Sequence, residues 1–200
     1  TNYEFGVSSI LKDRDLNYSL VIFFSERKDQ QVLISRQVDP SDPNTFSYLT
    51  QNAAEGENYG IEITSNYVVT DNLYIYANLG FLKTKIKNWE SRIDLEGRPQ
   101  AHAPDHSYSI GGNLNLKNNL YLKLDINGKS SFYYSDSHDN QSKSYQLTNI
   151  IFGYSNTNFS ADLWIRNIFD KYYSTRGFYF GNEAPNFEDT LYRRQGDPRN

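Results

Sequence analysis

A two-residue alternation of apolar and polar side chains limits the fold of this 200-residue chain more than any other feature. In Leu120–Lys129, the apolar residues Leu120, Leu122, Leu124 and Ile126 alternate with Tyr121, Lys123, Asp125 and Asn127. Successive side chains of a β-strand point to opposite faces, so such a segment predicts a strand with one apolar and one polar face. The pattern predicts eight strands, at Tyr3–Leu11, Tyr18–Arg27, Tyr59–Tyr67, Leu73–Ile86, Tyr108–Leu116, Leu120–Lys129, Tyr145–Tyr154 and from Phe159 onward.

The connections between these segments alternate in length. Short turns rich in Asn, Asp or Lys are predicted at Lys12–Leu16, Thr70–Asn72, Lys117–Asn119 and Ser155–Asn158. Long polar loops are predicted at Ser35–Asn58, Lys87–Asp105, Tyr134–Lys143 and after Phe169. Directly linked strands predict an all-β, antiparallel fold. Short turns on one side and long loops on the other are typical of a β-barrel in a bacterial outer membrane.

The composition favours a membrane setting for this sheet. Mean hydropathy is only −0.72 although 16% of the residues are aromatic, and no run approaches the about 20 apolar residues of a membrane-spanning helix. Only a closed barrel could then cross a bilayer. Aromatic residues near strand ends suit the two membrane interfaces. The alternation predicts that Leu122 and Leu124 face lipid, while Lys123 and Asp125 face a wet lumen.

Other classes of protein remain compatible with the alternation. A soluble lipocalin-like barrel has the same period with its apolar residues inward, and a passive porin or an adhesin shares the membrane pattern. The formal net charge of −4, with scattered Lys and Arg, gives no footprint for nucleic acid. No catalytic or cofactor constellation stands out, so we expect neither an enzyme nor a bound cofactor. His102, Asp105 and His106 could hold a metal, but Pro104 interrupts them, which favours a loop that caps polar groups.

The direction of the strands predicts that the chain is one part of a larger barrel. The segment Tyr3–Leu11 runs into a short turn and the strand from Phe159 leaves one, so both ends of the set lie on the same side. An open sheet would also expose two unpaired edges to lipid. We therefore expect strands outside this chain to complete the barrel.

Four segments resemble motifs of TonB-dependent outer-membrane receptors. The run from Asn167 to Tyr173, NIFDKYY, resembles the NxFDKxY segment of that family, and Asn167, Phe169, Asp170 and Tyr172 are predicted to be its motif residues. Residues 196–200, GDPRN, resemble the xPR element that leads into the last strand. Residues 54–62 are similar to an AxxxGxE strand start, and residues 97–107 are similar to a PxxPxH lead into a strand. The four segments follow the order that they have in the family.

The resemblance implies a barrel of about 22 strands around an N-terminal plug domain. Residues 1–200 would be the C-terminal portion of that barrel domain, without the plug and the final strand. It also implies uptake across the bacterial outer membrane of a scarce ligand, such as a ferric siderophore, haem, cobalamin or a glycan. TonB would supply the energy by contacting the missing N-terminal region. Membrane lipid and lipopolysaccharide would be the other partners.

Aromatic and arginine side chains concentrate after Phe169. Tyr172, Tyr173, Arg176, Arg193 and Arg194 fall in the last predicted outer loop. Arginine presents a planar fork to carboxylate or phosphate, and tyrosine adds stacking and a hydroxyl. These residues are therefore predicted to contact an anionic or aromatic ligand. The alternative is that they pack the loop and pair with lipopolysaccharide or with neighbouring loops.

Overall fold

The protein is built from ten β-strands and one short 3₁₀ helix in the described residues. The computed structural model describes residues 1–11, 15–39, 41–42, 45–89, 92–181 and 183–200. The strands are β1 (Asn2–Leu11), β2 (Leu16–Gln37), β3 (Phe46–Thr70), β4 (Leu73–Trp89), β5 (His106–Asn115), β6 (Leu120–Lys129), β7 (Tyr145–Ser155), β8 (Ser160–Ile165), β9 (Ser174–Gly181) and β10 (Asp189–Gln195), and the 3₁₀ helix is Ile93–Leu95. No helix in this part of the chain is long and apolar enough to cross a membrane.

Strands β1 to β8 form one antiparallel sheet in chain order, and β9 pairs with β10 in a separate hairpin. The eight predicted strands and their all-β antiparallel class are therefore confirmed. One end of the sheet, the turn end, carries the short connections at 71–72, 116–119 and 156–159. Asn118 and Asn119 have φ of 60° and 62°, a left-handed conformation that asparagine tolerates well. The predicted turn at Lys12–Leu16 lies mostly outside the described residues.

The opposite end, the loop end, is more ordered than the sequence predicted. The prediction of a long loop over Ser35–Asn58 was wrong, because β2 and β3 continue as a paired arm and only 38–45 connect them. The prediction of a loop after Phe169 was also wrong, since β9 and β10 lie within it. In both places the polar–apolar alternation is missing while the backbone ladder continues. Strand pairing requires backbone hydrogen bonds, whereas the alternation requires one face to be apolar.

The strand register places most apolar side chains on one face of the sheet and most polar side chains on the other. Phe5, Ile22, Ile61 and Phe81 lie in one row across β1 to β4 and are 67%, 47%, 38% and 50% exposed. The same face, here called the apolar face, continues through Leu122 and Leu124 in β6. Lys123 and Asp125 lie on the opposite, polar face, as their alternation predicts.

Asp125 is the centre of a hydrogen-bond network on the polar face. Its carboxylate accepts hydrogen bonds from Tyr76 Oη at 2.6 Å, Asn149 Nδ2 at 3.0 Å and Ser109 Oγ at 3.4 Å, and from Asn127 Nδ2. These donors come from β4, β5, β6 and β7. A half-buried carboxylate with so many donors stabilises the packing of four neighbouring strands on their polar side.

Aromatic rings cover glycines on neighbouring strands. Tyr76 lies directly opposite Gly111 and Tyr121 directly opposite Gly153. A Cβ atom added at Gly111 would lie 2.6 Å from both the Leu124 carbonyl oxygen and Tyr76 Oη, closer than atoms can approach. Glycine at these positions therefore makes room for a ring to lie flat on the sheet.

The buried apolar residues of the described chain lie at the loop end. They are Ile86, Trp89, Leu95, Phe132 and Tyr134, all at most 7% exposed. Among the described side chains, neither face of the sheet has such a core. The chain thus consists of an open sheet with a small packed cap of loops on one end.

Candidate functional site

The β9–β10 hairpin is fixed to the loop end through Tyr134. The Tyr134 ring is 3% exposed, forms an edge-on contact with Phe132, and lies over Gly177 of β9. Its hydroxyl makes a short hydrogen bond with Ser174 Oγ. His138 also contacts the ring of Tyr179, with centroids 5.7 Å apart. One face of the hairpin therefore packs on the loop at 130–144.

Arg98 joins the two neighbouring loops at 92–105 and 130–144. The Arg98 guanidinium donates from Nη2 to the carbonyl oxygens of Ser135 at 2.7 Å and His138 at 2.8 Å. It also lies 3.9 Å from the centroid of the Tyr133 ring, a cation–π contact. Nη1 is 3.0 Å from Asp139 Oδ1, but that carboxylate side chain is 90% exposed, so the ion pair adds little. Arg98 therefore has a structural role, because its guanidinium is engaged by contacts within the protein and is not available to a ligand.

Asn167 ties the chain after β8 to residues near Asn200. The side chain is 4% exposed; its Nδ2 donates to the carbonyls of Lys171 at 3.0 Å and Asp197 at 3.2 Å, and its Oδ1 accepts from Lys171 N at 2.8 Å. The φ of 48° is left-handed, which asparagine tolerates better than most residues. Asp170 makes a similar link by accepting from Arg199 N at 2.9 Å. Two of the four motif residues are therefore structural.

The other two motif residues point away from the hydrogen bonds of Asn167 and Asp170. Phe169 and Tyr172 are each 77% exposed. Tyr173, which occupies the final tyrosine position of NxFDKxY in place of the predicted Tyr172, packs against the ring of Tyr145, with centroids 4.6 Å apart, and covers Gly196. The Tyr173 ring is therefore engaged within the protein, whereas Tyr172 is open.

The three predicted arginines divide between the two faces of the hairpin. Arg176 lies directly opposite Arg194, while Arg193 lies opposite Gly177, on the face that packs on Tyr134. The open face also carries Phe178, whose ring lies 5.7 Å from the Arg176 guanidinium. Tyr192 is opposite Phe178 and stacks on Phe180 with centroids 5.1 Å apart. We call Arg176, Phe178, Phe180, Tyr192 and Arg194 the hairpin patch.

The hairpin patch is cationic without an internal counter-ion. Among the described residues, no carboxylate lies within 4.0 Å of either Arg176 or Arg194. Like charges directly opposite each other in a strand pair destabilise that pair. Tyr192 Oη donates to Glu183 at 3.3 Å, and burial followed by Glu183 raises the pKa of Tyr192, so the hydroxyl stays protonated. The patch therefore offers two guanidinium groups, aromatic faces and a phenol.

Phe178 was absent from the residues singled out by the sequence. The signal that could have found it is the spacing of Arg176, Phe178 and Phe180, which lie on one face only if the segment is a strand. Because no alternation of polarity marks β9, the segment was predicted to be a loop.

The histidines at the loop end are packing residues. The His102 ring contacts Phe132 with centroids 5.7 Å apart, and Asp105 pairs with Lys83 at 2.6 Å. Partial burial and then the charge of Arg176 lower the pKa of His102. Burial and then Arg98 lower the pKa of His138. No group of acidic and histidine side chains in the described residues could hold a metal ion.

Two grooves lie elsewhere on the sheet. A groove of about 390 Å³ on the apolar face is lined by residues such as Leu73, Ile110 and Leu122 near the turn end. A depression of about 620 Å³ on the polar face is lined by Ser8, Asn17 and their neighbours. Neither groove includes a predicted ligand residue.

Comparison with known proteins identifies the sheet. A family model described as TonB dependent receptor-like, beta-barrel, matches residues 1–168. The ferric yersiniabactin uptake receptor of Yersinia pestis is similar in fold, with a TM-score of 0.78 at 15% identity over 99% of this chain. The siderophore receptor of Acinetobacter baumannii gives 0.75 at 19%, and the ferric-catecholate import receptor of E. coli gives 0.70 at 18%, each over 99% of this chain.

The matched region covers only part of those receptors. The chain spans 28%, 27% and 26% of the three solved chains, respectively. The identities are low, so the structures establish the fold, and the family model establishes the relationship. The chain therefore belongs to the β-barrel family of TonB-dependent receptors.

Proposed function

We propose that residues 1–200 are the C-terminal portion of the barrel domain of a TonB-dependent receptor that imports a scarce ligand across the bacterial outer membrane. The exposed apolar face, with rows such as Phe5, Ile22 and Ile61, suits contact with lipid hydrocarbon. The Asp125 network on the other face suits a wet lumen. A soluble lipocalin-like barrel would need the apolar face inside, whereas Phe5 and Ile22 on that face are 67% and 47% exposed.

The hairpin patch supports an anionic, aromatic ligand. Arg176 and Arg194 are held side by side, and no carboxylate of the described residues lies within 4.0 Å of either one, which is the observation that carries this proposal. A bound anion would relieve their repulsion by charge-assisted hydrogen bonds, and Phe178 and Tyr192 would stack on an aromatic group. Ferric chelates of catecholate type have both properties, and one of the similar structures is named as a ferric-catecholate import receptor. Tyr172, Tyr173 and Arg193 stay predicted contacts of lower rank, since Tyr173 is packed and Arg193 lies on the other hairpin face.

Energy for import would come through TonB, which the family's name implies. No residue of this chain is assigned to that coupling, which we propose for the N-terminal region of the complete receptor. Membrane lipid and lipopolysaccharide would surround the apolar face.

Binding and uptake by the complete receptor test this proposal separately. Radiolabelled iron bound to a catecholate chelate serves as the probe, and ferric citrate serves as a non-aromatic comparison. Arg176→Gln and Arg194→Gln should each weaken binding of the catecholate by about 1.5–3 kcal/mol, as expected for hydrogen bonds to charged groups. Lys117→Gln is the control because Lys117 is an exposed cation at the turn end, away from the hairpin, and it should bind as the wild type does.

Uptake should stop when the proton gradient is dissipated, while binding at the surface continues. Uptake that persists without the gradient would indicate a passive pore. Unchanged affinity in both Arg176→Gln and Arg194→Gln, at normal surface levels, would show that the hairpin patch is structural only.

A further inference from the structure

Two cations on the polar face lie over aromatic rings near the turn end of the sheet. The Lys123 ammonium of β6 is 4.9 Å from the centroid of the Tyr121 ring. The Arg166 guanidinium, just after β8, is 5.1 Å from the centroid of the Trp164 ring. A cation in this position is attracted by the negative face of the ring. We call Tyr121, Lys123, Trp164 and Arg166 the inner patch.

The register of β6, β7 and β8 brings the inner patch together. Lys123, Ile151 and Trp164 form one row across these three strands. Because neighbouring strands are about 4.8 Å apart, the backbones of Lys123 and Trp164 are about 10 Å apart. Arg166 follows Trp164 toward the loop end, and the Trp164 side chain is 47% exposed. Both cations and an aromatic ring are therefore accessible on one stretch of the polar face.

The carboxylates of this surface are bound to other groups. Asp125 accepts hydrogen bonds from the donors described above, and Asp162 accepts a short hydrogen bond from the Tyr121 hydroxyl. Within the described ranges, neither Lys123 nor Arg166 has a carboxylate within 4.0 Å. Two positive charges that lie over aromatic rings, with no acid paired to them, can bind an anion.

The inner patch has the same chemistry as the hairpin patch but lies at another level of the sheet. Both present two cations beside exposed aromatic rings. Along β6, Lys123 is six residues from Lys129 at the loop end, which is about 20 Å along the strand. With a strand tilt of about 40°, the difference in height is about 15 Å. The two patches are therefore separate sites.

A third cation of the same kind lies between the two patches. The Lys129 ammonium is 5.9 Å from the centroid of the Tyr145 ring. That ring packs on Tyr173, one of the predicted ligand contacts. Lys129 is on the polar face, since an even number of residues separates it from Lys123 on the same strand. Cations over aromatic rings therefore continue from the loop end along the polar face.

We infer that Lys123, Trp164 and Arg166 form a second binding site for the anionic aromatic ligand, on the wall of the lumen, which the ligand occupies after it leaves the hairpin patch. The two cations donate charge-assisted hydrogen bonds to its anionic groups, and the Trp164 ring stacks on its aromatic groups. Exposure keeps this binding weak, and a ligand in transit must be able to leave each site. The inference rests on the proposed function for the class of ligand and for the polar face as the lumen wall.

Magnetic relaxation of a nitroxide label by ferric iron tests this inference in the complete receptor, in cells with an intact proton gradient. The label is attached at Ile151→Cys, between Lys123 and Trp164, and the probe is the ferric catecholate chelate. Paramagnetic iron at the inner patch should speed the relaxation of the label, whereas the diamagnetic gallium chelate should not. Asn113→Cys, directly opposite Lys123 on β5, carries the label in a second variant. The test therefore stands even if a label at position 151 blocks the patch.

The two cations can be removed without touching the hairpin patch. Lys123→Gln and Arg166→Gln should each weaken binding at the inner patch about tenfold, the lower end of the range for hydrogen bonds to charged groups. The double variant should lose the relaxation effect and import the chelate more slowly. Surface binding of the radiolabelled chelate should stay at the wild-type affinity. Lys85→Gln, an exposed cation on the apolar face of β4, is the matched control and should change none of these values.

Two results would overturn the inference and leave the proposed function standing. The first is an unchanged relaxation effect in the double variant. The second is the lack of any effect in the wild type at normal surface binding, as expected if an acidic segment of the plug covers the inner patch. The opposite combination would reject the hairpin patch alone: a relaxation effect that requires Lys123 and Arg166, with surface binding that requires neither Arg176 nor Arg194.

Discussion

Replacing Asn167 should loosen the β9–β10 hairpin without unfolding the sheet. Its side chain takes part in three hydrogen bonds that hold 167–171 and Asp197 together, at 2.8–3.2 Å. At about 1 kcal/mol each, their loss raises the free energy of the closed state by about 3 kcal/mol. Alanine adds about 1 kcal/mol because it must adopt the left-handed conformation at φ 48°.

A series of variants at Asn167 and Asp170 separates the loss of the hydrogen bonds from the cost of the left-handed backbone. Asn167→Gly keeps the left-handed backbone and loses only the bonds, so local opening should rise about 150-fold. Asn167→Ala, with about 4 kcal/mol lost, should raise it nearly 1000-fold. Asp170→Gly removes the single bond to Arg199 N, and an effect of about fivefold is expected.

Hydrogen exchange of residues 174–195 in the complete receptor measures this opening. Exchange in β3 to β6 should stay at the wild-type rate, which controls for loss of the whole barrel. If the hairpin exchanged at the wild-type rate in both Asn167→Gly and Asn167→Ala, the buried Asn167 amide would contribute nothing to closure. The structural role assigned to Asn167 would then be refuted.

Three further predictions concern the sheet and its cap. Gly111→Ala should lower barrel stability by about 1–3 kcal/mol in thermal unfolding, because its Cβ would meet the Leu124 carbonyl and the Tyr76 hydroxyl at 2.6 Å. Gly6→Ala should be tolerated, because the atom nearest to its Cβ would be 3.5 Å away. Leu124→Arg should cost about 2–4 kcal/mol if this position lies near the bilayer midplane, and Thr64→Arg on the polar face should cost much less, as measured by the yield of heat-modifiable barrel. The loop at 130–144 should open more as pH falls below about 6.5. The lowered pKa values of His102 and His138 mean that the opened state binds protons before the closed state does. Hydrogen exchange should show no such increase in opening at low pH in a His102→Gln, His138→Gln variant.

The sheet could be predicted from the sequence wherever one face is apolar. The alternation in Leu120–Lys129 fixed both the strand and the faces of Leu124 and Lys123. It failed in the β2–β3 arm, where polar residues such as Arg27, Lys28 and Gln30 leave no apolar face. A backbone ladder pairs the two strands of that arm, and a ladder has no signature in side-chain polarity.

The candidate site was predictable by composition but not by arrangement. Arg176 and Arg194 were recognised as residue types, yet their position opposite each other depends on the register of a hairpin that has no polarity pattern. Arg98 and Tyr134 could not be predicted as structural anchors. Their partners lie 35 to 43 residues away, at Tyr133, Ser135, Ser174 and Gly177, and only the fold brings them together.

The most direct test of the central claim is the environment of adjacent side chains in β6. Single cysteines at positions 123 and 124 of the complete receptor in lipid vesicles carry a nitroxide label, and collisions with oxygen and with a nickel chelate are compared. In an outer-membrane barrel, the label at Leu124→Cys should meet oxygen and be protected from the chelate, whereas the label at Lys123→Cys should meet the chelate. The same order should hold for Leu122→Cys and Asp125→Cys. The opposite order, with position 124 wet and position 123 in an oxygen-rich apolar phase, would contradict the assignment of this sheet to an outer-membrane barrel.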